Sequence, residues 1–226
     1  MHTAAFTFLI ELVGKTRHLL KREEAVDSTL VVCDLILRLD ALKFSNAPTP
    51  EHVAINRVYV GVVHGALGKE LHEWRPPQVA DFVRINGSGR YTLGQTEERV
   101  LADLRAELDA LERRFSRLKA LLTPEHQLGR PAMPSFEVFR QSPIVRAVNA
   151  AYREVRGVDQ PTGAVTLPGF YGTDAAHLFR EGGMEGIVRG SGRPSRGRYN
   201  TMPNITDFID VVKIHMLAIL AVCAEA

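Results

Sequence analysis

The side chains best suited to catalysis in this sequence are its eight histidines, because imidazole can act as acid, base or metal ligand near neutral pH. They are His2, His18, His52, His64, His72, His126, His177 and His215. No HxH, HxD, HExxH or CxxC spacing occurs, whereas a zinc site needs three or four converging ligands. No P-loop, dinucleotide fingerprint or GxSxG motif is present either. Local motifs alone therefore indicate no specific chemistry.

Several polar positions each allow a structural and a functional interpretation. His18 ends the segment GKTRH after the first predicted strand, where both a surface role and a catalytic role are open. His72 is interpreted as turn surface, Asp174 as a helix cap, and His215 as a packed or snorkelling side chain of the last helix. The loop from Arg189 to Arg198 carries four arginines among glycines. It is either a solvated loop or a site for carboxylate or phosphate groups, which arginine forks bind.

Composition narrows the class of protein. The chain has 226 residues, of which 45 % are apolar, and a net charge of +2, so we expect neither nucleic acid nor membrane as a partner. Cys33 and Cys223 lie in apolar helical patterns and are expected to pack as small hydrophobes, without a disulfide. The N-terminus lacks the basic region of a signal peptide, which together with the low cysteine count predicts a cytoplasmic protein.

Alternating apolar residues predict strands in the first half of the chain. They lie at residues 6–13, 58–63 and about 79–85. The NGSG segment at 86–89 is expected to break the third strand, because glycine weakens strand interiors. Residues 116–122 allow either a fourth strand or a continuation of the preceding helix.

Two helices are predicted between these strands. Residues 24–42 are rich in Leu, Val and Ile, and a second helix begins at Thr96 with Glu97 and Glu98 in its first turn. The apolar stripe of the second helix also allows a short coiled coil. The order β-α-β-β-α-(β) predicts an α+β fold, with a ferredoxin-like split βαβ sandwich over residues 1–123.

After a linker at 129–134, the remaining sequence alternates between helices and short strands. Helices are predicted at 143–156, 174–180 and 206–223, and short strands within 163–171 and 186–189. Thr206 is expected to cap the last helix. This pattern predicts a piece of an α/β sheet over residues 124–226 with some of its strands missing.

Seven segments follow one another in an order that resembles a known enzyme family. They are FLIELVGKTRH (8–18), VDSTLVVCDLILRL (26–39), VYVGVVHG (58–65), RPPQVADFVR (75–84), TEERVLADLRAEL (96–108), YGTDAAHLFREGGMEGIVRGSG (171–192) and ITDFIDVVKIHMLAIL (205–220). The order resembles that of M20 metallopeptidases and deacylases, such as acetylornithine deacetylase and succinyl-diaminopimelate desuccinylase. The resemblance implies a lid and dimerisation domain at 1–123 and the C-terminal part of a catalytic domain at 124–226.

The resemblance also implies that this chain is an incomplete form of such an enzyme. The HxD ligand pair, the bridging Asp and the Glu-Glu pair of the family belong to a preceding half that this sequence does not contain. The segment GRYNTMPN (197–204) has no histidine where the family has its last ligand. Intact relatives hold two zinc ions, whereas no zinc is expected to bind this chain alone.

Four residues match functional positions of the family. His18 matches a lid histidine that reaches the other subunit's active site and polarises the scissile carbonyl. Arg84 matches a lid arginine, and Gly190 and Gly192 match a glycine loop near the substrate carboxylate. The implied function is zinc-dependent hydrolysis of an amide bond in an N-acyl amino acid or small peptide, by a homodimer formed through the lid. This chain is expected to be inactive alone; the alternative is a non-catalytic dimerisation module that pairs through an exposed edge strand and its flanking helix.

A difference in stability between the two parts follows from the same reasoning. Without the missing strands, the apolar faces of the 143–156 and 206–223 helices are expected to lack a partner. Their members include Val145, Val148, Phe208, Val212 and Leu217. We therefore expect weaker hydrogen-exchange protection beyond residue 140 than in residues 5–115.

Overall fold

A computed structural model describes residues 2–72, 75–125, 133–160, 173–188 and 204–224. The chain forms two compact units. The sheet unit comprises Ala4–Ala132, and the helical unit comprises Met1–Thr3 together with Met133–Ala226. No helix among the described residues has the length and apolar character needed to cross a membrane.

The sheet unit contains a four-stranded antiparallel sheet, which confirms the α+β class. Its strands are β1 (Ala4–Val13), β2 (Arg57–Ala66), β3 (Phe82–Tyr91) and β4 (Lys119–Pro124), in the spatial order β2-β3-β1-β4. Its helices are α1 (Ser28–Ala41), α2 (Pro50–Ile55) and α3 (Glu97–Arg114), and a 3₁₀ helix spans Leu19–Glu24. Residues 116–122 therefore form a turn and a strand rather than more helix.

One face of the sheet forms the core of this unit. In β1, Phe6, Phe8, Ile10 and Leu12 are buried, while the alternate residues are half-buried, as a strand with one covered face requires. Apolar residues of α1 and α3 pack in the same cluster; they are Val31, Val32, Leu35 and Leu39 of α1 and Val100, Leu104, Leu108 and Leu111 of α3. The stripe on α3 thus belongs to this core, and the coiled-coil interpretation of it is wrong.

The NGSG segment does not break β3, contrary to the sequence prediction. β3 continues to Tyr91 and pairs with β1 throughout, with Gly87 opposite Phe8 and Gly89 opposite Phe6. The rings of the two phenylalanines occupy the space above the glycines that a β-carbon would fill. An aromatic ring on the neighbouring strand thus replaces the packing that glycine lacks, as in aromatic rescue of strand glycines.

Capping side chains set the helix boundaries. Asp27 accepts hydrogen bonds from the backbone N–H groups of Thr29 (3.0 Å) and Leu30 (3.4 Å), so α1 begins at Ser28 rather than near Glu24. Thr96 caps α3 through the N–H of Arg99, as predicted. The sequence prediction missed α2, although it begins with the N-cap Thr49 and a proline in its first turn.

The helical unit is built on α4 (Pro143–Arg156) and α6 (Ile205–Ala224). The short helix α5 (Ala175–Arg180) lies between them in the sequence. Val148 and Ala151 of α4 pack with Ile214 and Ala218 of α6, and the partly buried Leu217 joins them. The expectation that Val148 and Leu217 lack a partner is therefore wrong. By contrast, Phe208 and Val212 are exposed, at 54 % and 43 %.

Three further sequence predictions fail, two of them in this unit and the third at the two cysteines, of which Cys33 lies in the sheet unit. Asn204, not Thr206, caps α6, since its side-chain oxygen accepts the N–H of Thr206 at 2.9 Å. Residues 186–188 form no strand. Cys33 and Cys223 are free but exposed, so neither packs as a core hydrophobe. The short strand expected within 163–171 lies outside the described residues.

An ion-pair cluster joins α4 to α6. Arg156 donates to Asp207 at 2.7 Å, and its Nε lies 3.0 Å from Asp210. The hydrogen bond to Asp207 and the charge of Asp210 raise the pKa of Arg156 above its ordinary value, although burial opposes them. Both carboxylates are at most 15 % exposed, so removing the arginine would leave two buried charges without their counter-ion.

We therefore expect Arg156→Met to destabilise the helical unit by about 2–3 kcal/mol. Faster hydrogen exchange of the α4 and α6 amides measures this loss. Arg153→Met is the matched control, because Arg153 on the same helix pairs with Asp159 where both side chains are at least 70 % exposed. Equal exchange in the two variants would contradict a structural role for the Arg156 cluster.

Candidate functional site

His18 lies in a fixed turn just beyond the end of β1. Its backbone forms a bridge with Gln78, while Leu19 N–H donates to Pro77 O (2.7 Å) and Val79 N–H donates to Arg17 O (2.9 Å). The turn is thus anchored to the segment that leads into β3. The side chain of His18 is exposed and caps the 3₁₀ helix.

The hydrogen bond of His18 determines which ring nitrogen carries the proton. Nδ1 accepts the backbone N–H of Leu20 at 3.2 Å, so in the neutral imidazole the proton is on Nε2. Among the described residues, no group hydrogen-bonds this Nε2. An exposed N–H donor on an anchored turn is suited to donate to a carbonyl oxygen supplied from outside the sheet unit.

Basic residues surround this turn. Lys15 and Arg17 precede His18, and Arg17 lies 3.5 Å from Glu24. Partial burial, and then the charges of Arg117 and Arg17, lower the pKa of Lys15 below its ordinary value. Arg17 pairs with Glu24, and Arg22 lies 3.7 Å from Asp27, so acidic side chains offset part of this basic charge.

Arg84 is positioned in the interior of the sheet rather than in a loop. On β3 it faces Glu11 of β1 and His64 of β2. Its Nε and Nη2 donate to the same oxygen of Glu11, at 3.2 and 2.9 Å, and its guanidinium lies 5.7 Å from the centre of the Phe82 ring. Any carboxylate that binds Arg84 must therefore share the arginine with Glu11.

The structure brings His18 and Arg84 to the same end of the sheet. Val13, the last residue of β1, pairs with Phe82, the first residue of β3, so the turn of His18 emerges beside the start of the strand that carries Arg84. Gly190, Gly192 and the loop from Arg189 to Arg198 lie outside the described residues. The substrate-binding role predicted for the two glycines stays a prediction.

His2 is a buried polar residue that the sequence analysis did not single out. It is 4 % exposed, stacks on Phe136 with ring centres 4.7 Å apart, and its Nε2 accepts the N–H of Thr173 at 2.5 Å. It thereby holds the residues that precede α5 within the helical unit. An isolated histidine next to the first residue carries no pattern that could have indicated this role.

The described residues do not supply a metal site. No three His, Cys, Asp or Glu side chains converge within this part of the chain. His72 is exposed and lies 3.8 Å from Glu70, and His177 pairs with Glu181 at 2.9 Å. These pairs do not match the three or four ligands of a zinc ion, so no catalytic step is assigned to a metal held by these residues.

A second candidate site is an apolar surface at the β2 edge of the sheet, named here the edge surface. It consists of the exposed Leu30, Cys33 and Leu37 on one side of α1 and the exposed Tyr59, Val62 and Val63 on β2. A groove of about 220 Å³ lies between the helix and the strand, lined by Ile36, Leu37, Leu39, Asp40, Val58, Tyr59 and Val60. Because β2 is an edge strand, one side of its backbone has no partner strand in the sheet.

Comparisons with solved structures find the same fold in peptidases. A tripeptidase from Staphylococcus aureus superposes with a TM-score of 0.65 at 20 % identity, over 97 % of this chain and 52 % of its own. Aminopeptidase PepT from Bacillus cereus superposes with a TM-score of 0.67 at 13 % identity, over 98 % of this chain and 52 % of the PepT chain. The di-peptidase Dug1p from Saccharomyces cerevisiae superposes with a TM-score of 0.64 at 13 % identity, over 100 % of this chain and 55 % of the Dug1p chain.

These matches define the fold and the extent of the similarity. No family model matches the sequence, and no curated protein matches it. The chain spans about half the length of the solved chains that it matches. The class of protein defined here is therefore an α+β chain that shares its fold with one half of known peptidases.

Proposed function

We propose that this chain is the lid-bearing half of an M20-type amide hydrolase that acts on N-acyl amino acids or small peptides. Three peptidases that share its fold over nearly the whole chain support this proposal, together with the order of motifs in the sequence. The strand order β4-β1-β3-β2, with α1 and the short α2 between β1 and β2 and α3 between β3 and β4, fits the ferredoxin-like lid of that family. More specifically, we propose that the enzyme is of the acetylornithine deacetylase or succinyl-diaminopimelate desuccinylase type.

The observation that carries this function is the geometry of His18. Its Nδ1 is occupied by a backbone N–H, and its Nε2 faces no partner among the described residues. Such a donor can stabilise negative charge that develops on a carbonyl oxygen during amide hydrolysis. His18 would perform this step in the active site of a partner subunit, and Arg84 would orient the substrate's carboxylate.

The zinc pair of the family would be held by residues outside this chain. Bound zinc supplies an activated water in such enzymes. The described residues contribute a positioned donor, and no three His, Cys, Asp or Glu side chains among them converge as a zinc site requires. A zinc-dependent assay therefore requires a complementing polypeptide. We define the complement as the part of the Staphylococcus aureus tripeptidase that lies outside its match to this chain.

Homodimerisation through the edge surface is the second part of the proposal. Exposed Leu30 and Leu37, at 53 % and 72 %, and Tyr59, at 70 %, form an apolar patch beside an unpaired strand edge. Two copies related by a two-fold axis could extend the sheet and bury both patches. A non-catalytic dimerisation module would use the same surface, so dimerisation alone does not separate the two functions. Zinc-dependent hydrolysis by the chain with its complement would distinguish the enzyme from the non-catalytic module.

Leu37→Glu is expected to convert the dimer into a monomer. Burying a carboxylate in an apolar interface without a partner is unfavourable, so the dimer dissociation constant should rise at least about 100-fold. Analytical ultracentrifugation over a range of concentrations measures the change. Leu20→Glu is the control, because Leu20 is 83 % exposed and lies off the edge surface. A variant at Leu37 that dimerises as well as the unmodified chain contradicts this interface.

A further inference from the structure

Two arginines lie side by side on the outer face of the sheet, which is the face opposite to the core. Arg57 of β2 and Arg90 of β3 are direct partners in the strand register, so their side chains project from the same face. Side chains in this arrangement have β-carbons about 4.5–5.5 Å apart, and two like charges placed so repel each other. Arg57 is exposed and Arg90 is half-buried. The sheet thus places two guanidinium groups within reach of one ligand.

Small side chains surround this arginine pair. On its other side, Arg90 is opposite Ala5 of β1, whose neighbour Phe6 faces the core. Among the described residues, β4 pairs with β1 only from Phe8 onward, so Ala5 has no strand on that side. Ser88, two residues before Arg90 on the same face, is exposed and carries a hydroxyl donor. The corner of the sheet therefore leaves room for a ligand beside the two guanidinium groups.

Neither arginine has a counter-ion in the part of the chain that the structure describes. No carboxylate there lies within 4.0 Å of the nitrogens of either guanidinium, and neither side chain donates a hydrogen bond. By contrast, Arg84 on the same face donates to Glu11 at 2.9 Å. Two facing guanidinium groups without an acid are suited to an anion supplied from outside the chain, because the anion would offset their repulsion.

We infer that Arg57 and Arg90 form a binding site for a phosphate group, either inorganic phosphate or the phosphate of a small molecule. Each guanidinium fork can donate two parallel hydrogen bonds to an oxyanion. A phosphate has enough oxygens to accept from two forks at once, whereas one fork already occupies both oxygens of a carboxylate. Arg90 lies six residues along β3 from Arg84, about 20 Å. The phosphate site is therefore separate from His18 and Arg84, and does not depend on the proposed hydrolase function.

Titration of the full chain with inorganic phosphate tests the inference. In ¹⁵N NMR spectra, the Nε–H signals of Arg57 and Arg90 should shift and saturate with a dissociation constant on the order of 1 mM at low ionic strength. Arg57→Gln and Arg90→Gln should each weaken binding at least about 10-fold, because one guanidinium then remains. Arg99→Gln is the matched control, because Arg99 on α3 is exposed and also has no acidic partner among the described residues.

Thermal unfolding gives a second readout. In chloride buffer, Arg90→Gln should leave Tm unchanged or raise it, because the substitution removes the repulsion between the two arginines. In 10 mM phosphate at equal ionic strength, the unmodified chain and Arg99→Gln should gain about 3 °C more than Arg90→Gln, because the ligand stabilises only a chain that binds it. Comparing variants within one buffer cancels the general stabilisation of proteins by phosphate.

Saturable shifts at both arginines that are lost in Arg57→Gln and Arg90→Gln, and kept in Arg99→Gln, support the inference. Equally strong binding of acetate, shifts that persist in either variant, or the same gain in Tm for every variant would overturn it. A parallel titration with glycerol 3-phosphate distinguishes the two sources of the phosphate group. Tighter binding than that of inorganic phosphate supports a small phosphorylated molecule as the ligand, and weaker binding supports inorganic phosphate.

Discussion

Gly87→Ala is expected to destabilise the sheet unit by about 3 kcal/mol, more than any surface substitution in this chain. A β-carbon at Gly87 would overlap the ring of Phe8 and lie 2.7 Å from the carbonyl oxygen of Tyr59. Phe8 is fully buried in the core, so its ring has little room to move. Faster native-state hydrogen exchange of the buried β1 amides measures the loss of stability.

A matched control and a compensating variant make this result specific to the glycine–phenylalanine contact. Gly65→Ala in β2 should cost much less, because the nearest atom to the added carbon is 3.5 Å away. Phe8→Leu combined with Gly87→Ala should cost less than the sum of the two single variants, since the smaller side chain removes the overlap. Full additivity, or equal losses at Gly65 and Gly87, would show that the Phe8 ring does not require glycine opposite it.

His18→Ala is expected to lower kcat of the complemented enzyme by a factor of about 100–1000, with a smaller change in KM. The loss falls on kcat because the Nε2 proton would stabilise charge that develops only in the transition state. His72→Ala is the control, since His72 is also exposed but pairs with Glu70 outside the proposed site. Equal activity of the two variants would remove His18 from the mechanism.

The proposed action of His18 across the dimer has a further consequence. An enzyme containing His18→Ala and an enzyme whose complement lacks its metal ligands should each be inactive. Mixing the two should restore activity, because some heterodimers then combine an intact histidine with an intact metal site. The same mixture carrying Leu37→Glu should stay inactive, because that substitution removes the edge surface that joins the two subunits.

Much of the sheet unit could be predicted from the sequence because its signals are local. The alternation in β1, the cap at Thr96 and the helical stripe through Leu104 and Leu108 each depend on neighbouring residues. The continuation of β3 through NGSG could not be predicted in this way. It depends on Phe6 and Phe8, about 80 residues earlier, which become neighbours of the glycines only once the sheet has formed.

The candidate site was only partly accessible from the sequence. The resemblance to M20 enzymes singled out His18 and Arg84, but not the Leu20 N–H that leaves the proton on Nε2, nor the pairing of Arg84 with Glu11. These interactions depend on the turn geometry and on strand register, which residue spacing does not specify. The pairing of α4 with α6 was missed for a similar reason, because two apolar helices carry no signal of whether they pack together.

The most direct test of the central proposal measures bound zinc and amide hydrolysis for the chain alone and for the chain with its complement. N-acetylated amino acids and short peptides are the substrates, and zinc is quantified by atomic emission. We predict neither bound zinc nor turnover for the chain alone, and two zinc ions with turnover for the complex, lost after treatment with a chelator. Two zinc ions and turnover in the chain alone would contradict the proposal that it is half of the enzyme.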